Sequence, residues 1–150
     1  MTTSGQFCSR EVIYVTREMT LQDTAKLMRH YHVGTVVVID DINGRRTPIG
    51  IVTDRDIVME ANAVDLDPKA ITVGDIMAQE LVTVREDEGL LQTAEVMRYK
   101  GVRRLPVVDQ DGHLVGIISV DDLLEALAEQ MTEIVHALGQ ERRHEVQQRR

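Results

Sequence analysis

The chain contains one stretch of sequence twice, and this duplication restricts its fold more than any other feature. When the 150-residue sequence is shifted by 69 positions, residues 14–40 lie over residues 83–109 without a gap. Nine of those 27 aligned positions are identical, among them Thr24 with Thr93 and Met28 with Met97. A repeat of this length is a complete supersecondary unit. The sequence therefore predicts two copies of one small α/β unit.

A short motif closes each copy. Residues 50–56 and 116–122 both read Gly, two apolar residues, a hydroxyl residue, two variable residues and Asp. This pattern predicts a buried strand that turns into a helix, with the hydroxyl as the helix cap and the carboxylate in the first turn. The start of a helix also presents free N–H groups and the positive end of the helix dipole to an anion.

The two copies predict the same order of elements. In the first copy we expect a strand at 12–15, a helix from 21, strands at 35–39 and 49–52, and a helix at 54–61. In the second we expect a strand at 81–84, a helix at 90–99, strands at 105–108 and 114–118, and a helix from 121. The predicted organisation is a first repeat at 8–62, a linker and lead-in at 63–80, a second repeat at 81–130, and a helical extension with a basic tail at 131–150.

The last helix is longer than the repeat requires. Its apolar positions recur every three or four residues as far as Gly139 and form one stripe: Leu123, Leu124, Leu127, Met131, Ile134, Val135 and Leu138. The stripe fits a helix folded back on its own domain and fits equally a helix packed on a second subunit. Beyond Gly139 the arginines predict a frayed, solvated tail.

Composition narrows the class of protein. The net charge of -8 argues against nucleic acid as a partner, and the single cysteine, Cys8, allows neither an intrachain disulfide nor a thiolate metal cluster. No apolar stretch has membrane-spanning length and no secretory signal is recognisable, so we expect a cytoplasmic protein without a membrane partner. The histidines lack metal-protease spacing, and no nucleophile has a recognisable base. We therefore expect no metal site and no enzyme activity.

In combination, these features resemble a tandem pair of cystathionine β-synthase (CBS) domains, also called a Bateman module. The resemblance covers roughly residues 10–130 and rests on the duplicated motif, the element order, the lead-in at 74–77 and the segment at 103–108. It implies an α/β fold of two β-α-β-β-α repeats, related by a pseudo-twofold axis and packed through their sheets. It also implies a disc-like homodimer and two clefts for adenosine-containing ligands.

The resemblance also implies a role for particular residues. Thr53 and Ser119 would contact phosphate or ribose, Asp56 and Asp122 would accept hydrogen bonds from ribose hydroxyls, and Arg55, Arg103 and Arg104 would bind phosphate. The adenine of one cleft would lie against Val102, Leu105, Pro106 and Val107 with Thr83 at the rim, and that of the other against Val33, Val36 and Val37 with Tyr14 at the rim. The first repeat lacks the counterparts of Arg103 and Pro106, so the clefts should differ.

Three functions remain open from the sequence, and an enzyme in its own right is placed last. The first is a regulatory module without a required cofactor that senses AMP, ADP or ATP, with NAD or S-adenosylmethionine as further ligands, and modulates an unknown partner protein. The second is a dimerisation or interaction module whose clefts bind nothing. The motif itself leaves a structural alternative, in which the hydroxyls only cap helices and the carboxylates only stabilise the helix dipole.

Overall fold

Two similar α/β repeats make up the protein, which is described here by a computed structural model for residues 2–149. The first repeat consists of β1 (Tyr14–Thr16), α2 (Leu21–Tyr31), β2 (Thr35–Ile42), β3 (Arg45–Thr53) and α3 (Asp54–Ile57). The second consists of β4 (Val84–Arg85), α5 (Leu90–Lys100), β5 (Arg104–Val108), β6 (Leu114–Ser119) and α6 (Val120–Gln148). Short helices α1 (Ser4–Phe7) and α4 (Val73–Ile76) precede the respective repeats. The predicted fold class and element order are confirmed.

Each repeat forms its own three-stranded sheet, in the orders β1-β2-β3 and β4-β5-β6. The first pair of strands in each sheet is parallel and the second pair antiparallel. The register is equivalent in both sheets, since Thr53 pairs with Thr35 and Ser119 pairs with Arg104. The end of each motif strand therefore lies beside the start of the preceding strand. The sheets contact each other through β3 and β6.

Each short lead-in helix packs on the opposite repeat. In α1, Gly5 N–H donates to Glu86 O at 2.9 Å, and Ser9 exchanges backbone hydrogen bonds with Ile117 of β6 at 2.8 and 2.9 Å. In α4, Gly74 N–H donates to Arg17 O at 3.0 Å. The N-terminal segment is thus held by the second repeat and the central lead-in by the first, so neither repeat has all of its contacts without the other.

The motif glycines make room for these exchanged segments. A Cβ atom added to Gly50 would lie 2.7 Å from Met77 Sδ, and one added to Gly116 would lie 2.9 Å from Cys8 Sγ and closer still to Ser9 O. Real Cβ atoms do not approach neighbours that closely. A side chain would therefore displace the side chain of Met77 at Gly50 and the backbone of Ser9 at Gly116.

Two helices differ from the expected ones. The helix expected at 54–61 is the short α3, continued by a π-helical turn at Val58–Asn62 that buries Ala61. The expected end of α6 near Gly139 is wrong, because the helix continues to Gln148 through residues that favour helix. The basic tail is solvated as expected, yet it is helical. Among residues 2–149, none of the helices has both the length and the apolar character needed to cross a bilayer.

Candidate functional site

The two motifs form matching capping boxes at the starts of α3 and α6. Thr53 N–H donates to Asp56 Oδ2 at 2.9 Å, and Asp56 N–H donates to Thr53 Oγ1 at 3.1 Å. Ser119 and Asp122 make the same pair of hydrogen bonds at 2.8 and 3.2 Å. The structural alternative for these residues is therefore realised. Each hydroxyl accepts in its box and keeps its own hydrogen to donate, and each carboxylate keeps its second oxygen to accept.

The largest cavity beside a motif lies between the two repeats and is called cleft A here. Its volume is about 460 Å³, which is within the range of small-molecule sites. The first repeat contributes one side of cleft A and the second repeat the other. Its lining residues are Thr35, Ile51, Thr53 and Arg55 on one side, and Ala78, Glu80, Leu81, Val82, Gly101, Val102, Arg103, Arg104 and Leu105 on the other.

Cleft A has an apolar wall and a positively charged rim. Leu81, Val82 and Val102 are half-buried along the wall, while Arg55, Arg103 and Arg104 are exposed. The one carboxylate of the lining, Glu80, is partly offset by Lys100, whose Nζ is 3.8 Å away. The cleft can therefore accept a flat apolar group against the wall and an anion at the rim.

A second cavity, cleft B, is the pseudo-symmetric counterpart of cleft A. Its volume is about 300 Å³, and most of its lining comes from the first repeat: Ser9, Glu11, Val12, Ile13, His32, Val33, Gly34 and Thr35, with Arg104 and Ile117 from the second. When these first-repeat residues are shifted by 69 positions, they coincide with the cleft A residues at 78, 80–82 and 101–104. Gly34 stands where cleft A has Arg103, so cleft B has a weaker positive charge.

Each motif lies beside the predicted wall of the other repeat. Thr53 and Arg55 of the first repeat face Val102 and Leu105 of the second, whereas Val33 lies in the cleft that contains Ile117 of β6. This pairing arises where the two sheets contact each other through β3 and β6. Each cleft then combines the motif strand of one repeat with the start of the middle strand of the other.

The remaining predicted site residues are not among those that line cleft A or cleft B. Val36, Val37, Pro106 and Val107 are buried within the sheets. Asp56 and Asp122 are half-buried in their capping boxes together with Ser119. Thr83 is exposed just before β4, and the exposed ring of Tyr14 packs under the guanidinium of Arg46 at 4.4 Å from Cζ to the ring centroid.

Sequence reasoning missed several lining residues, most clearly Thr35, Glu11 and Glu80. Thr35 and Arg104 line both clefts, because each starts the middle strand of its sheet beside the motif hydroxyl. The repeat alignment contained a signal for the carboxylates, since Glu11 and Glu80 are 69 positions apart and identical.

A separate turn between β5 and β6 brings Asp109, Asp111 and His113 together. Asp109 Oδ1 accepts hydrogen bonds from the backbone N–H groups of Asp111 at 2.9 Å and His113 at 3.0 Å. These bonds, first that from His113, hold the pKa of the Asp109 carboxyl below its usual value. That oxygen is committed to the turn, and the cluster has a structural explanation.

Comparisons with known proteins agree with this architecture. A family model described as "CBS domain" matches residues 5–62 and 73–129. An uncharacterised protein of Methanopyrus kandleri is 36% identical over 121 residues, which are 81% of this chain and 60% of that protein, so the chain spans less than two thirds of this relative.

Two solved structures have the same fold. The structure of CBSX2 in complex with AMP is 28% identical, with a TM-score of 0.72 over 87% of this chain and 99% of that chain. A hexameric CBS-CP12 protein from bloom-forming cyanobacteria is 31% identical, with a TM-score of 0.72 over 83% of this chain and 70% of that chain.

Proposed function

The chain belongs to the CBS domain family, and on that basis we propose that it is a regulatory module that binds an adenosine nucleotide in cleft A. The observation that carries the proposal is the combination of one apolar wall and three arginines in a cavity of about 460 Å³. An adenine ring has an apolar face and a phosphate has the charge that guanidinium binds, so the two halves of the cleft match the two ends of a nucleotide. A relative of the same fold, CBSX2, has been solved with AMP.

The capping boxes support this proposal without being sufficient for it. Thr53 lines cleft A, and its hydroxyl hydrogen is free to donate to a phosphate or ribose oxygen because the oxygen already accepts from Asp56. Asp56 is placed one helical turn away, where its second carboxylate oxygen would accept from a ribose hydroxyl. The same groups thus stabilise the start of α3 and leave a hydrogen-bond donor there that can bind an anion.

Cleft A is proposed as the stronger of the two sites. Cleft B is smaller, at about 300 Å³, and Gly34 there replaces the guanidinium of Arg103. We therefore expect nucleotide to occupy cleft A first, with AMP, ADP or ATP ahead of NAD and S-adenosylmethionine.

Binding between the repeats provides a route to regulation. Because cleft A has a wall from each repeat, a bound ligand contacts both and stabilises one arrangement of the repeats over others. We propose that a partner protein binds the two arrangements differently and so responds to this shift. We also propose that the module acts in the cytoplasm as a disc-like homodimer. It needs no cofactor and catalyses no reaction. The alternative function is an interaction module without a ligand, which the exposed apolar residues of α6 favour.

Calorimetric titration with AMP and with adenosine tests the proposal. We expect AMP to bind more tightly than adenosine, and Arg103→Ala to remove most of that preference, by roughly tenfold. Arg98→Ala, which changes an exposed arginine on α5 away from both clefts, is the matched control and should bind as the unaltered protein does. Absence of binding by AMP, ADP, ATP, NAD and S-adenosylmethionine would refute the sensing function and leave the interaction module.

A further inference from the structure

Two residues lie on the boundary between the clefts. Thr35 and Arg104, called the junction residues here, line both cleft A and cleft B. They are counterparts in the repeat alignment, since they are 69 positions apart, and each begins the middle strand of its sheet. One alignment position therefore separates the two clefts. It is a neutral hydroxyl residue in the first repeat and a cation in the second, so one guanidinium stands where two clefts meet.

The two clefts depend on that guanidinium to different degrees. Cleft A has two further arginines, Arg55 and Arg103. Among the described residues that line cleft B, Arg104 is the one arginine or lysine. Cleft B has Gly34 in place of Arg103, and a Cβ atom added to Gly34 would lie 3.1 Å from the carboxylate oxygen Oδ2 of Asp54. A cation of cleft A is thus replaced in cleft B by a nearby negative charge, and an anion in cleft B depends mainly on Arg104.

The side chain of Arg104 is available to either cleft. It is exposed, and its guanidinium forms no ion pair with another of the residues 2–149. The guanidinium of Arg17, by contrast, donates to both carboxylate oxygens of Asp40 at 2.9 Å and is held in place. A guanidinium without such a partner can turn towards an anion on either side. When it binds a phosphate in bidentate geometry in one cleft, its charge moves away from the other.

We propose that the two clefts compete for Arg104, so that a nucleotide phosphate in cleft A weakens the binding of a second nucleotide in cleft B. The competition rests on the proposed function, because it requires a nucleotide in cleft A. A hydrogen-bonded contact with a charged group changes a dissociation constant by roughly tenfold. By linkage, a nucleotide in cleft B weakens binding in cleft A by the same factor.

The competition changes how the protein responds to nucleotide concentration. The form with one AMP per chain persists over a wider range of concentration than independent clefts would allow, because the second AMP binds without a free guanidinium. The phosphate is the cause, so adenosine, which has none, should fill the two clefts independently. AMP and adenosine together therefore distinguish competition for a charge from a general change of shape.

Tryptophan substitutions that fill one cleft at a time measure the coupling. Ala78 and Ser9 are counterparts 69 positions apart, both are exposed, and they line cleft A and cleft B respectively. Ala78→Trp leaves cleft B to be titrated alone, and Ser9→Trp leaves cleft A. At physiological salt, which screens direct repulsion between exposed phosphates, we expect the product of the two AMP dissociation constants of the unaltered protein to exceed the product of the two isolated constants roughly tenfold. For adenosine the two products should be equal.

Variants of the junction residues test the cause of the coupling. Arg104→Gln removes the shared cation, so the same two products for AMP should agree within about twofold in that background. Thr35→Arg places a second guanidinium at the counterpart position, so each cleft has its own. We expect it to lower the ratio of the second to the first AMP dissociation constant roughly tenfold. Arg98→Gln changes an exposed arginine on α5 away from both clefts, and as the matched control it should retain the full coupling.

Each result either supports or overturns the competition. Coupling that persists in Arg104→Gln overturns it, and so do two clefts that bind AMP independently in the unaltered protein. Absence of AMP binding in Ala78→Trp also overturns it, because cleft B would not be a nucleotide site. In all three cases AMP binding in Ser9→Trp would still support the function proposed for cleft A, whereas its absence would refute both.

A comparison that needs no tryptophan is available if a filled variant does not fold. The two stepwise AMP constants of the unaltered protein and of Thr35→Arg are measured by the same calorimetric titration. An unchanged ratio of the second to the first constant in Thr35→Arg overturns the competition for Arg104, and a lower ratio supports it.

Discussion

Asp56 and Thr53 are joined by two reciprocal hydrogen bonds, from Thr53 N–H to Asp56 Oδ2 and from Asp56 N–H to Thr53 Oγ1. The acidic residue proposed to bind ribose is therefore also a structural residue. Removing its side chain would change stability and ligand binding together. Variants at this position must separate the two effects.

Asp56→Asn separates them, because the amide oxygen of asparagine still accepts from Thr53 N–H while the negative charge is lost. We expect this variant to unfold close to the unaltered protein but to bind AMP roughly tenfold more weakly. Asp56→Ala should lose the same affinity and in addition about 1 kcal/mol of the free energy of unfolding. Urea unfolding and AMP calorimetry measure the two quantities. Unchanged AMP affinity in both variants would remove Asp56 from the ligand site.

The equivalent change in the second motif acts as an internal comparison. Asp122→Asn alters the charge beside cleft B, whereas the proposed first site is cleft A. We expect AMP affinity at the stronger site to be unchanged in this variant, since Asp122 caps α6 and cleft A is lined by the first motif. A loss equal to that in Asp56→Asn, measured by the same calorimetric titration, would contradict the assignment of cleft A as the stronger site.

The two motif glycines should tolerate alanine unequally. In Gly50→Ala the new methyl group meets the flexible side chain of Met77, which can move, while in Gly116→Ala it meets the backbone oxygen of Ser9. We expect Gly116→Ala to lower the free energy of unfolding by about 1–3 kcal/mol and Gly50→Ala by clearly less. Chemical denaturation of the pair is the measurement. Equal losses in the free energy of unfolding would mean that the backbone at Ser9 moves as easily as the side chain of Met77.

The thiol of Cys8 should react slowly in the folded protein. Burial, the largest effect, raises its pKa above the ordinary value of 9.0 despite the opposing charge of Arg10. The reactive thiolate is therefore scarcer at pH 8 in the folded state than in the unfolded state. We expect urea to accelerate the reaction of Cys8 with a disulfide reagent more than it accelerates the same reaction of a free cysteine peptide. An equal acceleration of both would contradict the shift.

The pH dependence of stability should contain a contribution from Asp109. Its folded pKa lies below the ordinary value of 3.8, so the unfolded state takes up the proton first as pH falls. The stabilisation is complete well above pH 3.8 and is lost as pH falls through the folded pKa. The difference in free energy of unfolding between the unaltered protein and Asp109→Asn should shrink over that range. A difference that stays constant down to pH 3 would contradict this account.

The sequence predicts the architecture well because two copies of the repeat indicate the same order of elements. Each strand and helix is supported by its counterpart, which lies 69 positions away as far as Asp40 and 66 positions away in the motif, and the order of elements follows from alternating apolar segments and turn residues. Helix α1 was missed since four residues give no periodicity. The alignment of Thr3 and Gly5 with Thr72 and Gly74 was the available signal.

The site was predictable only in part, for a reason of packing. Local sequence identifies Thr53, Arg55 and Arg103 as candidates but contains no information on which repeat faces which. That pairing depends on how the two sheets pack together, which brings the first motif to the second repeat's wall. The length of α6 was underestimated because Gly139 favours a helix end, yet nothing in the following residues breaks the helix.

The exchange of lead-in helices has a consequence for how the protein is made. Ser9 bonds to Ile117, so Ser9 has no partner for these two backbone hydrogen bonds until β6 has been synthesised. At ordinary elongation rates this interval is roughly 5–20 s. Until then, the segment that crosses Gly116 has no β6 to pack against. A segment that is translated before the first repeat is therefore among the last to be fixed in place.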